Sequence, residues 1–151
     1  MSGSRTSVAL AALVLLSACG GGNAGTTTGA SVVVVPSLPA CVPAAERAEL
    51  PANLDGVLPL PVGTVITSAK LTGRGPLQIA GYVPASLREA SAFFREELPK
   101  AGFEPGEGDA ENDEAEQAFS GHGLDGQWKV HSILDCPDAV SLTIAVSGEP
   151  Q

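Results

Sequence analysis

The sequence predicts an α+β domain: one amphipathic helix packed on an antiparallel sheet of four to six strands, closing with a C-terminal three-strand meander. Three observations predict it. Leu87, Ala90, Phe94, Leu98 and Ala101 recur at helical spacing on one face. Val140, Leu142, Ile144 and Val146 alternate with Ser141, Thr143, Ala145 and Ser147, the period of a strand with one buried face. Glycine-rich and Asx-rich clusters separate the apolar runs, chief among them Asp125-Gly126, a two-residue hairpin signal.

The elements follow in chain order. Val62 to Thr72 is rich in β-formers (Val65, Ile66, Thr67) and is predicted to be a strand. Gly73-Arg74-Gly75-Pro76 is a turn, and Leu77, Ile79, Gly81 and Val83 alternate as the returning strand. Ser86-Leu87-Arg88-Glu89 has the form of a capping box. The helix behind it carries Glu96 and Lys100 as a favourable i,i+4 pair. Pro99 is expected to distort its last turn, and Gly102 is placed as its C′ residue. Phe103 begins a short return segment. Glu104 to Glu116 carries seven acids and no base and reads as a solvated loop. Ala115–Ser120, Gln127–Leu134 and the run from Val140 form the meander, with Asp135-Cys136-Pro137-Asp138 as the turn before its last strand.

The chain has 151 residues and is 44% hydrophobic, which excludes disorder throughout. Its six aromatics all lie between Tyr82 and Trp128, so the packed core is expected there. With 18 glycines and 12 prolines, that core is small and its turns many. There are 8 basic and 17 acidic side chains; without Arg5 of the leader, 7 against 17 leaves a net −10. Such a surface repels phosphate backbones, so no nucleic-acid partner is expected, and it resists lying flat on anionic lipid.

The first residues read as an export leader. Arg5 precedes an unbroken apolar run of nine residues, Val8 to Leu16. The run is too short to span the roughly 30 Å hydrocarbon layer but suits the core of a signal peptide. Leu16-Ser17-Ala18-Cys19 follows at the end of that run. It resembles the lipobox of bacterial lipoproteins, with the single basic residue of the n-region as its departure from that pattern. The resemblance covers the leader and one further residue. It implies that the Cys19 thiol receives a diacylglyceryl group, that cleavage falls just before Cys19, and that the new amine is acylated. The implied partner is a membrane, held through lipid on Cys19. One acyl chain binds only marginally, at ~0.8 kcal/mol per methylene, whereas two or more anchor stably. The implied location is extracytoplasmic, on the cell membrane or, in a host with two membranes, the outer membrane, since residue 20 is Gly rather than the Asp associated with inner-membrane retention.

The expected organisation is a signal peptide over 1–18, a lipidated Gly/Thr-rich tether over 19–35, a Pro-rich lead-in over 36–61 and the α+β domain over 62–151. The tether is a coil whose dozen or so residues span on the order of 20 Å. Six prolines (Pro36, Pro39, Pro43, Pro51, Pro59, Pro61) keep the lead-in extended, with at most one helical turn at Ala44–Leu50. If Cys19 carries lipid, Cys41 and Cys136 remain, and outside the cytoplasm such a pair is expected to be oxidised. A loop of that size is assigned ~4.7 kcal/mol in the chain-entropy picture.

No cofactor and no metal site is expected. Asp109-Ala110-Glu111-Asn112-Asp113 alternates oxygen ligands but has Glu114 and Ser120 where an EF-hand needs Gly and Glu. Tyr82, Phe93 and Trp128 are candidates to line a ligand pocket between helix and sheet. Against this, Trp128 suits packing, and alternation puts Tyr82 on the face opposite Ile79. The first functional expectation is a non-enzymatic envelope module binding a protein or small ligand. The second is an envelope hydrolase or metal-dependent enzyme, which requires His122 or His131 to converge with Glu114 or Asp125. The third is a structural envelope component.

Overall fold

The computed structural model describes residues 37–73 and 75–151. The leader, Cys19 and the tether lie outside the described residues.

Six strands form one antiparallel sheet: β1 (Val65–Leu71), β2 (Leu77–Val83), β3 (Glu104–Ala110), β4 (Glu114–Gly121), β5 (Leu124–Ile133) and β6 (Cys136–Gly148). One helix among the described residues, α1 (Leu87–Lys100), stands between β2 and β3. The spatial order is β1-β2-β6-β5-β4-β3. After β2 the chain crosses the sheet through α1 and returns along the far edge, then walks back strand by strand until β6 closes against β2.

The capping box forms as its residues dictate. The Glu89 amide donates to Ser86 Oγ at 3.4 Å, while the Ser86 amide and hydroxyl donate to Glu89 Oε2 at 3.0 and 2.6 Å. The far end closes with Gly102 at φ +90°, its amide donating to the Pro99 carbonyl and that of Phe103 to the Leu98 carbonyl. That pair of bonds is a Schellman motif. Pro99 is absorbed in the last turn. Lys100 pairs with Glu97 at 2.7 Å, one residue away from the expected Glu96.

Leu98, Phe94 and Ala90 are buried on the sheet-facing stripe of α1. Beneath them lie Trp128, Val130, Leu142, Ile144 and Phe119. The Phe94 ring stacks on Trp128, centroids 5.2 Å apart and planes 18° from parallel. Because α1 connects β2 to the far edge, it packs over β3 to β6. The same face beyond β6 is covered by the lead-in, whose turns over 52–57 bring Leu54 and Leu58 into the core at 1% and 4% exposure. The helical turn expected at Ala44–Leu50 falls here instead.

The expected α+β class and its three-strand meander are corrected by this architecture. The described residues form a six-stranded antiparallel sheet with one 14-residue helix, and the consecutive meander has four strands, β3 to β6. Two causes account for the difference. The acidic stretch expected as a loop pairs with β4 as an edge strand, where charged side chains cost little because all seven of its residues are exposed. Part of the sheet's apolar face is covered by irregular chain rather than by helix.

The hairpin signals also resolve differently. Asp125-Gly126 lies within β5, and the turn is His122-Gly123, with φ of 53° and 78° between the paired Gly121 and Leu124. Two positive φ values in a two-residue loop define a type I′ turn. Gly126 is needed for another reason: a Cβ there would meet the Phe119 ring across the strand pair. Asp135-Cys136-Pro137-Asp138 is likewise not the next turn, since β6 already begins at Cys136 and Leu134-Asp135 makes the reversal.

Candidate functional site

Cys41 and Cys136 form a disulfide, with Cα atoms 5.6 Å apart across 95 residues of sequence. Cys136 is fully buried at the start of β6, whereas Cys41 is exposed in the lead-in. The bridge therefore fastens the lead-in to an interior strand.

The three aromatics proposed as a pocket do not come together. Trp128 is 0% exposed and belongs to the core. Phe93 is half-buried and edge-on to Phe94, centroids 5.5 Å apart. Tyr82 pairs with Ser141 and Val65 on the opposite face of the sheet. Among the described residues the Trp128 Nε1–H is buried without a hydrogen-bond partner, so the indole is present for its volume rather than its polar handle.

The two histidines are held apart from each other and from any shared carboxylate cluster. His122 Nε2 is 2.7 Å from the Ala101 carbonyl, and its ring lies edge-on to Phe103 with centroids 5.0 Å apart. A carbonyl only accepts, so Nε2 carries the proton and donates it. His131 Nδ1 is 2.7 Å from the Ser132 carbonyl, and its Nε2 is 3.4 Å from Asp113 Oδ2. Glu114, its cross-strand partner, instead joins Glu116 around Lys129, at 3.3 and 2.7 Å from Nζ. Hydrogen bonding to Glu116, then to Glu114, holds the Lys129 ammonium above the ordinary lysine value of 10.5. Among the described residues no group of three or more His, Cys, Asp or Glu side chains is placed to hold a metal ion, and no helix is long and apolar enough to cross a membrane.

An open concavity lies elsewhere among the described residues. Where the end of β6, the start of β5 and the β1–β2 turn meet, the lead-in stands away from the sheet and leaves an open cleft of about 580 Å³. Leu54, Leu71, Leu77, Leu124 and Val146 supply its apolar walls, and Asn53 and Glu149 stand among its polar groups. Leu71 is 73% exposed there. Sequence reasoning passes over these residues because they belong to four separate segments with no shared motif. The one local signal is an apolar residue, Leu71, just ahead of a Gly-rich turn. A second, shallower concavity of about 530 Å³ lies beside His131 and Asp113, against the 89% exposed Leu134.

No protein-family model, no curated protein and no solved structure matches this chain.

Proposed function

We propose that this chain is a lipid-anchored lipoprotein of a bacterial envelope whose folded part is a non-enzymatic binding module. Residues 16–19 carry the anchoring half: Leu16-Ser17-Ala18-Cys19 closes a nine-residue apolar run at the place where a lipoprotein is cut and acylated. The oxidised Cys41–Cys136 pair is consistent with this, because such bridges persist outside the cytoplasm. The cleft between lead-in and sheet carries the binding half. Its volume is within the range of small-molecule sites, and its walls are apolar with a few polar groups at hand. The histidines support binding over hydrolysis, since His122 is committed to a helix end and His131 to a main-chain carbonyl and the Asp113 turn.

Two measurements test the halves separately. Labelled palmitate is incorporated by the wild type and not by Cys19→Ser, and the variant leaves the membrane fraction; retention of Cys19→Ser on membranes refutes the anchor. Crosslinking in intact cells, followed by mass spectrometry, captures a reproducible protein or ligand whose contacts include Leu71 or Leu77. Crosslinks that map only to other faces refute the cleft as the binding surface.

A further inference from the structure

We infer that the lead-in is a redox-released strap. Oxidised, it is clamped over the β1–β2 side of the sheet's apolar face; reduced, it lifts from that side while the rest of the domain stays folded. This goes beyond the binding reading and does not depend on it.

The apolar face has two covers of different construction. α1 is built into the chain between β2 and β3, is capped at both ends and lies over β3 to β6. The strap has no regular secondary structure. Among the described residues its one backbone hydrogen bond to the sheet runs from the Ala48 amide to the Ile66 carbonyl, at 2.8 Å. Its prolines at 39, 43 and 51 remove donors that could have added more. What holds it is the burial of Leu54, Leu58 and Pro61, the packing of half-buried Ala48, Leu50, Val57 and Leu60 against the core, and the bridge at Cys41. An element held mainly by side-chain packing, with one backbone bond to the sheet, opens at lower free energy than the hydrogen-bonded ladder beneath it. The cleft lined by Leu54 and Pro51 on one side and Leu77 and Val146 on the other is the seam along which it would separate.

The bridge decides how far opening can go. With it intact, the strap is a loop fixed at Cys41 and again where the chain enters β1 at Val65. With it broken, the strap is a tail fixed at Val65 alone. The open state then gains the conformational freedom that loop closure denied it. Cys41 is an exposed residue and Cys136 is fully buried, so attack falls on the Cys41 side of the bridge. A thiolate of a dithiol attacks Cys41 Sγ, the S–S bond breaks and Cys136 leaves as thiolate. The dithiol's second thiolate then attacks the mixed disulfide and releases Cys41. Two electrons pass to the cysteines, two protons end on their sulfurs, and the dithiol leaves as a disulfide.

Hydrogen exchange read by mass spectrometry tests this on the full mature chain, oxidised and after reduction with dithiothreitol. Peptides covering 48–60 gain exchange by about tenfold or more on reduction, while those from β4, β5 and β6 keep their protection. An apolar dye binds the reduced form because Ile66, Leu77 and Val146 become accessible. Unchanged exchange over 48–60 overturns the inference, and so does loosening of β5 and β6 to the same extent as the strap. The double variant Cys41→Ser/Cys136→Ala, which places no hydroxyl in the buried site, reproduces the reduced pattern without reagent. Leu54→Ala with the bridge intact raises exchange over the same peptides by a smaller factor; no change there also counts against the strap.

Discussion

His122 Nε2 donates to the Ala101 carbonyl at 2.7 Å, so a residue of the β4–β5 turn closes the C-terminal end of α1. The imidazole serves one of the carbonyls that a helix end leaves without an intrahelical partner. The φ of 53° that aims the ring toward the helix lies in the left-handed region, where His is tolerated better than most side chains. Replacing His122 by Asn keeps a residue suited to that φ and loses the long reach to Ala101, at a cost of about 1 kcal/mol. His122→Ala costs more, because the turn is strained as well. Urea unfolding of the two variants orders them; equal stabilities would mean that the turn's backbone preference contributes nothing.

Cys41→Ser and Cys136→Ser remove the same cross-link, each at a cost of about 2–5 kcal/mol. They differ in where the hydroxyl lands. At position 41 it meets solvent; at position 136 it sits in a fully buried site. Cys136→Ser is therefore expected to be the less stable by a further ~1–3 kcal/mol. Denaturant midpoints of the two variants read the difference directly.

At the other end of α1, hydrogen bonding from the Ser86 hydroxyl, then from its amide, lowers the Glu89 pKa from its ordinary 4.5. A carboxylate with a lowered folded pKa contributes stability that is complete above the ordinary value and disappears as pH falls through the lowered one. Ser86→Ala costs about 1 kcal/mol at neutral pH. The gap between wild type and variant narrows as the pH falls below the ordinary carboxylate range and Glu89 gains its proton. A gap of constant width from neutral pH downward contradicts this account of the cap.

The β3 edge is exposed along its whole length and carries Glu104, Glu107 and Asp109, with Pro105 and a register shift between Pro105 and Gly108. All of these discourage a second sheet from pairing there. The triple variant Glu104→Gln/Glu107→Gln/Asp109→Asn is expected to give species that grow with concentration in sedimentation velocity, beyond any seen for the wild type. A variant that sediments as the wild type does would leave Pro105 and the bulge as sufficient protection.

What could be read in advance was local. The Ser86–Glu89 box, the apolar stripe ending at Gly102 and the alternation of β6 each depend on neighbours a few residues apart. The Cys41–Cys136 pair followed from cysteine number once Cys19 was set aside. What could not be read was settled by distant partners. Glu104–Ala110 has the composition of a loop and becomes a strand because β4 offers it a ladder. Asp125-Gly126 carries the hairpin signal, yet the strand pairing of β4 with β5 puts the turn at His122-Gly123 and leaves Gly126 facing the Phe119 ring. Leu54 and Leu58 lie among prolines with no period, so nothing near them announced that they fill the core. The cleft draws on the lead-in, the β1–β2 turn, β5 and β6, and only the folded chain brings these together.

The bridge also fixes how the domain answers a pull. Force applied to any residue before Cys41 passes through the sulfurs into Cys136 at the head of β6. β6 is clasped by β2 and β5, so the load falls as shear across many hydrogen bonds at once instead of unzipping them singly. Leu54, Leu58 and the lead-in beyond Cys41 are bypassed and feel little of it. The cross-link thus works as a strain relief, like the knot that keeps a cable's tension off its terminals.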